Sequence, residues 1–158
     1  MSLLQILKYP DPRLKEVAKP IVEFSREIKK LAMDMVETMY NGRGVGLAAT
    51  QVGVPYRLIV IDVEQLEKAP NPIICINPEI IHHEGKTKDD EGCLSVPGYT
   101  APVERFKKVT VQFLDLDGEK REITTEDFFA KAFQHEIDHL DGILFIDRLG
   151  RLRKELFL

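Results

Sequence analysis

The chain has 158 residues, of which 44% are hydrophobic and 30% are charged, and 22 Lys+Arg against 26 Asp+Glu give a formal net charge of -4. A chain of this length can form one core without disulfides, so residues 1–158 are expected to be a single domain, and two cysteines are too few for a secreted disulfide scaffold. The apolar runs are much shorter than a membrane span, and Pro10 interrupts the N-terminal segment before a signal-peptide core develops. The chain also lacks a long basic block. These features favour a soluble, cytoplasmic protein that binds neither membranes nor nucleic acids.

The first predicted element is an amphipathic helix over Arg26–Tyr40. Its apolar residues recur at intervals of three and four, which is the period of one helix face, and Ser25 is a candidate N-cap. The pattern stops at Asn41-Gly42. The apolar stripe is interpreted as core packing and contains Ile28, Leu31, Ala32, Met35, Val36 and Met39.

Short β-rich runs follow the glycine-rich stretch 44–53. They lie at Arg57–Val63, Ile73–Asn77 and Glu79–His83. Further along the chain, apolar residues at 109, 111 and 113 alternate with polar ones, and Asp117-Gly118 then supplies the positive φ angles of a tight turn. This pattern predicts a hairpin whose second strand is Lys120–Thr124.

A second helix is predicted from Thr124 to Gly142. Asp127, three residues after Thr124, suggests a capping box, and Gly142 suits the position just beyond a helix end. A short C-terminal helix is predicted from about Leu149, and the basic residues at 148, 151, 153 and 154 are interpreted as a solvated helix face. The predicted fold is therefore α+β, with mainly antiparallel strands packed around one central helix.

The central helix contains His135-Glu136-Ile137-Asp138-His139, which is the HExxH pattern. Residues four apart lie about 40° apart around a helix axis, so both imidazoles can reach one ion while Glu136 addresses a water. A metal hydrolase also needs a third protein ligand. Two protease patterns do not supply one, because Phe145 stands where a metzincin has its third histidine and the only downstream glutamate is Glu155.

Cys93 is the better candidate for the third ligand. A thiolate binds Zn²⁺ or Fe²⁺ strongly, and Gly92 lets the backbone approach closely. Cys75 lies in an apolar run and is interpreted as a buried residue, although a Cys75–Cys93 disulfide is not ruled out by sequence. His82 and His83 adjoin a polar turn and are interpreted as surface residues.

Three segments now occur in a specific order and spacing: 44–51 (GVGLAATQ), 91–95 (EGCLS) and 134–139 (QHEIDH). They resemble the three signature motifs of peptide deformylases, the metal hydrolases that remove the formyl group from the initiator methionine of new bacterial and organellar proteins. The resemblance extends from YPDPRLKEVAKP near the N-terminus to ILFIDRL near the C-terminus. It therefore covers nearly the whole chain.

The resemblance implies that Cys93, His135 and His139 bind one divalent ion. Fe²⁺ is the ion expected, with Ni²⁺, Co²⁺ or Zn²⁺ as possible substitutes. A metal-bound water or hydroxide would attack the formyl carbonyl and release formate. Glu136 would act as general acid/base, taking the proton from this water and delivering one to the leaving amine.

Five further residues receive roles from the same resemblance. The side-chain amide of Gln51 and the backbone N–H of Leu94 would stabilise the oxyanion of the tetrahedral intermediate. Val45 and Gly46 would line the methionine pocket and, with Gly92, lie against the extended peptide. Without the other two motifs, Gln51 would be interpreted as an ordinary loop amide.

Two positions near these motifs differ from the family pattern, and two others carry opposite charges that can form an ion pair. Arg43 stands where an acidic or small polar residue is common, and Thr100 stands where some members carry an arginine that contacts the substrate. Both leave the chemistry intact but affect peptide affinity. Glu91 and Arg105 occupy positions that pair in relatives, and an exposed salt bridge is the simpler interpretation if they are solvated.

The partner implied is the N-formylmethionyl nascent peptide, with a possible weak association with the ribosome. Two alternatives remain open from the residues. One is a zinc endopeptidase of the HExxH type, which would cleave unmodified peptides internally. The other is a non-catalytic, metal-stabilised protein that binds blocked N-termini.

Overall fold

The computed structural model of the chain describes residues 2–64 and 70–149. Within these ranges there are two α-helices, α1 (Arg26–Asn41) and α2 (Asp127–Leu140). The strands are β1 (Gly46–Ala48), β2 (Leu58–Ile61), β3 (Ile73–Glu84), β4 (Thr87–Cys93), β5 (Val96–Arg105), β6 (Lys108–Leu114) and β7 (Lys120–Glu126). Short 3₁₀ helices are formed by Pro12–Lys15, Ala49–Val52 and Phe145–Arg148.

The strands form two antiparallel sheets. Five strands are arranged in the order β1-β2-β3-β6-β7, and β4 pairs with β5 in a separate hairpin. This arrangement confirms the predicted α+β class with mainly antiparallel strands. None of the helices described is both long and apolar enough to cross a membrane.

Helices α1 and α2 pack on opposite faces of the five-stranded sheet. Strand β2 is buried throughout: Leu58 and Val60 contact the cluster that contains α1, whereas Ile59 and Ile61 contact the cluster that contains α2. Because successive side chains of a strand point to opposite faces, a strand covered on both sides needs an unbroken apolar run. The sheet thus provides a rigid support for the helix that carries HExxH.

Helix α1 follows the sequence prediction closely. The Ser25 hydroxyl accepts a hydrogen bond from the backbone N–H of Ile28, which confirms the N-cap, and the helix ends at Asn41. The predicted stripe lies in the core, where Ala32 and Met35 are fully buried.

Helix α2 begins later than predicted. Thr124 belongs to β7, where its hydroxyl lies 2.9 Å from that of Thr110, so it cannot cap the helix, and the predicted capping box is wrong. The helix end agrees with the prediction, since Gly142 follows it with a φ of 75°. A side chain at Gly142 would also collide with the backbone of Lys15.

Two strand predictions need correction. The runs Ile73–Asn77 and Glu79–His83 are parts of one strand, β3, which has an irregularity where Asn77 adopts a φ of 53° and hydrogen bonds to the backbone of Ile21. The β6–β7 hairpin is confirmed, but only Gly118 in its turn has a positive φ.

The β4–β5 hairpin was not predicted. Strand β4 is polar and largely exposed, so its sequence lacks the apolar alternation that indicates a strand. Val96, Ala101 and Val103 of β5 nevertheless pack against the N-terminal segment and the 3₁₀ helix Phe145–Arg148. The predicted C-terminal helix and the basic residues beyond 149 lie outside the described residues.

Candidate metal centre and active site

The two predicted histidine ligands lie on the buried part of α2, and the predicted cysteine ends β4. The Sγ of Cys93 lies 3.3 Å from Nε2 of His139, which in turn lies 3.2 Å from Nε2 of His135. All three potential ligand atoms lie within 4.8 Å of one another. The fold thus brings together two segments that are more than 40 positions apart in the sequence.

This geometry fits a metal ion. A tetrahedral ion with bonds of about 2.0–2.3 Å places its ligands about 3.3–3.8 Å apart, close to the separations between these atoms. One thiolate and two imidazoles are suitable donors for a first-row divalent metal. His139 is fully buried and His135 nearly so, so both imidazoles are largely removed from bulk water.

A buried network of charges stands behind His135. Its Nδ1 lies 2.9 Å from Oε1 of Glu91, and Arg105 donates to both carboxylate oxygens of Glu91 at 2.7 Å. Arg105 also contacts Asp138 at 2.5 Å, and Asp138 accepts two further hydrogen bonds from Arg148. The side chain of Arg105 is only 2% exposed, so the Glu91–Arg105 pair is a buried interaction and not the exposed salt bridge considered above.

The network sets the charge state of the groups around the ligands. Burial alone would raise the pKa of Glu91, but hydrogen bonds from Arg105 and His135 lower it to about 2. Burial also opposes charge on His135, yet nearby Glu136, Cys93 and Glu91 raise its pKa well above the ordinary value. These residues therefore stabilise a positive charge at this position, whether from a proton or from a metal ion.

His139 experiences the opposite effect. Burial, together with the positive charge of His135, lowers the pKa of His139 well below its ordinary value. His139 is therefore neutral, which is the form of imidazole that binds a metal.

Glu136 lies beside the ligands with one oxygen unsatisfied. Its Oε1 is buried and has no hydrogen-bond partner among the described residues, and burial raises the pKa of the carboxyl to about 7. Strand β1 passes very close to it: a Cβ on Gly46 would lie 2.5 Å from Oε2 of Glu136. Gly46 is therefore required for β1 to approach this carboxylate.

Gln51 is held on the 3₁₀ helix that follows β1. Its Oε1 accepts a hydrogen bond from the backbone N–H of Ala48 at 2.9 Å, so its amide nitrogen is directed the other way. That nitrogen lies 3.1 Å from Oγ of Ser95 and 3.5 Å from Sγ of Cys93. The backbone N–H of Ser95 also donates to this sulfur, at 3.4 Å.

A cleft of about 780 Å³ opens over these residues, between β1, the β4–β5 hairpin and α2. His139 lies behind it, whereas the other predicted site residues line it: Val45, Gly46, Gln51, Gly92, Cys93, Leu94, His135 and Glu136. Arg43 and Thr100, the two departures from the family pattern, also line the cleft.

Sequence reasoning missed several residues of the cleft and of the network behind it. Phe128 and Lys131 line the cleft from the same face of α2 as His135, and the helical period could have indicated them. Asp138, inside the HExxH segment, could have been proposed as a partner for a cation. Nothing in the sequence indicated that Arg148 would be one of the partners of Asp138.

The remaining cysteine and histidines lie away from the site, as predicted. Cys75 is fully buried in β3, and both cysteines are free, so the disulfide is excluded. His82 is exposed and hydrogen bonds to Glu84, and His83 is exposed and stacks on Phe106.

Known proteins of similar sequence match nearly the whole of this chain. The family model described as polypeptide deformylase matches residues 3–155. The peptide deformylase of Acidobacterium capsulatum is 49% identical over 158 residues, covering 100% of this chain and 93% of the relative. That of Thermodesulfovibrio yellowstonii is 50% identical over 157 residues, covering 99% and 95%.

Solved structures agree with these matches. The peptide deformylase from Legionella pneumophila has a TM-score of 0.93 and 46% identity, covering 98% of this chain and 90% of that one. The enzyme from Synechococcus elongatus, solved in complex with actinonin, has a TM-score of 0.92 and 37% identity, covering 97% and 84%. The chain therefore belongs to the polypeptide deformylase family, the metal-dependent hydrolases that remove the formyl group from N-formylmethionyl peptides.

Proposed function

We propose that this enzyme removes the formyl group of nascent peptides at the cleft, with Cys93, His135 and His139 as metal ligands and Glu136 as general acid/base. The observation that carries the proposal is the convergence of three ligand atoms beside a buried carboxylate oxygen that has no partner among the described residues. A binding protein would have no need for an unsatisfied carboxylate at this point.

The metal proposed is Fe²⁺. A divalent ion held by these ligands would polarise the formyl carbonyl and lower the pKa of the attacking water. A ligand set of one thiolate and two imidazoles also suits Zn²⁺, Co²⁺ and Ni²⁺. Elemental analysis of anaerobically purified protein tests the choice, and zinc without iron in active preparations would contradict it.

Glu136 is proposed to move the proton. Its carboxylate accepts a proton from the attacking water and then donates it to the amine nitrogen, which is a poor leaving group until it is protonated. Burial raises the pKa of Glu136 to about 7, so its protonated and deprotonated forms are similarly populated near neutral pH. Such a group can both accept and donate a proton.

Gln51 and Leu94 are proposed to stabilise the oxyanion. The hydrogen bond from Ala48 fixes the Gln51 amide before substrate arrives, so its N–H groups need no reorganisation. Lys8 holds the peptide bond between Leu94 and Ser95, because its ammonium donates to the Leu94 carbonyl at 3.1 Å. Leu94 would contribute its backbone N–H.

The peptide is proposed to lie along the strand edges that border the cleft. Strand β1 is an edge strand of the five-stranded sheet, and β4 pairs with β5 alone among the described strands. Both strands therefore present an unpaired edge within the described residues. An extended peptide can hydrogen bond to such edges. Val45, Gly46 and Gly92 would then contact the methionine and its backbone.

We also propose a location, a domain organisation and a partner for the enzyme. We place the enzyme in the cytoplasm, where nascent chains are available, and treat residues 1–158 as one domain because the family model spans 3–155. A weak ribosome association would involve the C-terminal tail, which lies outside the described residues.

The function is tested with peptides that differ only at the N-terminus. The metal-loaded enzyme should release formate from a formyl-Met peptide and should leave acetyl-Met and unmodified Met peptides intact. Internal cleavage of the unmodified peptide would favour the endopeptidase. Stoichiometric binding of the formyl peptide without formate would favour the non-catalytic binder.

A further inference from the structure

An ion pair joins α2 to β4 at the wall of the cleft. The ammonium of Lys131 contacts the carboxylate of Asp89, which also accepts a hydrogen bond from the Thr87 hydroxyl at 2.9 Å. Both charged residues line the cleft. The side chain of Lys131 is 14% exposed and that of Asp89 is 49% exposed. The lysine is therefore largely buried, whereas the aspartate is about half exposed to solvent.

The pair lies next to the proposed catalytic centre. Lys131 is four residues before His135 on the same face of α2, which places it about 6 Å further along the helix axis. Between them Ala132 contributes only a methyl group to the cleft wall. Phe128, 56% exposed, stands beyond Lys131. These residues line the part of the cleft next to His135, here called the recess.

The ion pair makes the wall of this recess effectively uncharged. A lysine can lay its methylene stem along apolar surface while its ammonium reaches a polar partner, and here that partner is Asp89. The stem then lines the recess. If either charge were removed, the other would stand unpaired at the edge of the recess.

We propose that Lys131 is a specificity-determining residue for the side chain of the formylated residue, and that Asp89 is the positioning residue that holds it. The proposal rests on the proposed function, since it assigns this recess to the substrate. The neutralised pair favours an uncharged side chain and gives no advantage to a charged one of similar length.

The test compares two formyl peptides that are identical except for Met or Glu at the first residue, which have side chains of similar length. Asp89→Asn leaves the ammonium unpaired and should raise the ratio of kcat/KM for formyl-Glu over formyl-Met by about fivefold, typical of a partly exposed charge pair. Lys131→Met leaves the carboxylate unpaired and should lower the same ratio by a similar factor. The double variant should return the ratio to the wild-type value.

Matched controls come from the same hairpin. Lys86 and Glu104 form an exposed ion pair at 3.5 Å that does not line the cleft, so Glu104→Gln and Lys86→Met should leave the ratio unchanged. The other charged residues that line the cleft are unchanged in every variant: Lys8, Arg43, Asp90, Glu91 and Glu136.

Opposite shifts in the two single variants would support the proposal. Equal ratios in all variants, or shifts in the same direction, would overturn it. Each variant is measured as a ratio on one preparation, so a loss of folded protein does not alter the result. Failure of wild-type enzyme to hydrolyse formyl-Met would instead contradict the proposed function.

Discussion

Oε1 of Glu91 lies 2.9 Å from Nδ1 of His135. The Nε2 of His135 faces the other ligand atoms, so Nδ1 is the nitrogen that carries the proton and donates to the carboxylate. Arg105 holds both oxygens of that carboxylate. The carboxylate thereby fixes the orientation and the tautomer of a proposed metal ligand.

Removing the charge of Glu91 is expected to weaken metal binding. Glu91→Gln keeps an acceptor oxygen but removes one of the two carboxylates that pair with the buried Arg105. Loss of a group that orients a metal ligand typically costs about 10–100-fold in metal affinity. Competition with a chelator of known affinity measures the change. Glu104→Gln on the same hairpin is the control, and equal affinities for the two variants would contradict the role assigned to Glu91.

Replacing Glu136 is expected to abolish turnover and spare metal binding. Glu136→Gln keeps the size of the side chain but cannot accept the proton, so kcat should fall by about 10²–10⁴-fold. Metal content and formate release are measured on the same sample. A variant that retains more than about a tenth of the wild-type kcat would show that another group moves the proton.

The rate is expected to rise with pH. Burial raises the pKa of Glu136 to about 7, so at lower pH the carboxyl is protonated and cannot act as a base. A bound cation favours the carboxylate, which places the midpoint at or below about 7. Profiles of kcat/KM between about pH 5 and 9 for the nickel form check this. A rate that falls as pH rises through this range would contradict the assignment.

Gln51 is expected to affect kcat more than KM. Gln51→Leu removes the amide donors at similar size, and loss of one oxyanion donor typically lowers kcat by about 10²–10³-fold. Asn77→Leu offers a comparison with an amide that hydrogen bonds to the Ile21 backbone and does not line the cleft. A variant at Gln51 that raised KM with unchanged kcat would show that the amide binds the ground state instead.

Local patterns in the sequence predicted the elements whose burial is regular. Helix α1 and strand β6 have clear apolar periods, and the HExxH spacing predicted that His135 and His139 share a face. The resemblance to a known family, rather than periodicity, assigned roles to Gln51 and Leu94. Those roles remain predictions.

The polar parts of the site could not be predicted in the same way. Strand β4 carries Cys93 but has almost no apolar side chains, because one of its faces borders a cleft and not a core. The contacts of Arg105 with Asp138, and of Lys131 with Asp89, join residues 33 and 42 positions apart. Which charges pair at such separations depends on the packing of the whole chain.

The central claim is that one ion held by Cys93, His135 and His139 is the deformylating centre. It is tested most directly by removing metal with a chelator, adding Fe²⁺ or Ni²⁺ back in steps, and measuring bound metal and formate release from a formyl-Met peptide together. Formate release should rise in proportion to bound metal and level off at one ion per chain, and Cys93→Ala should lose both. Full activity of the metal-free enzyme, or of Cys93→Ala without bound metal, would contradict the account.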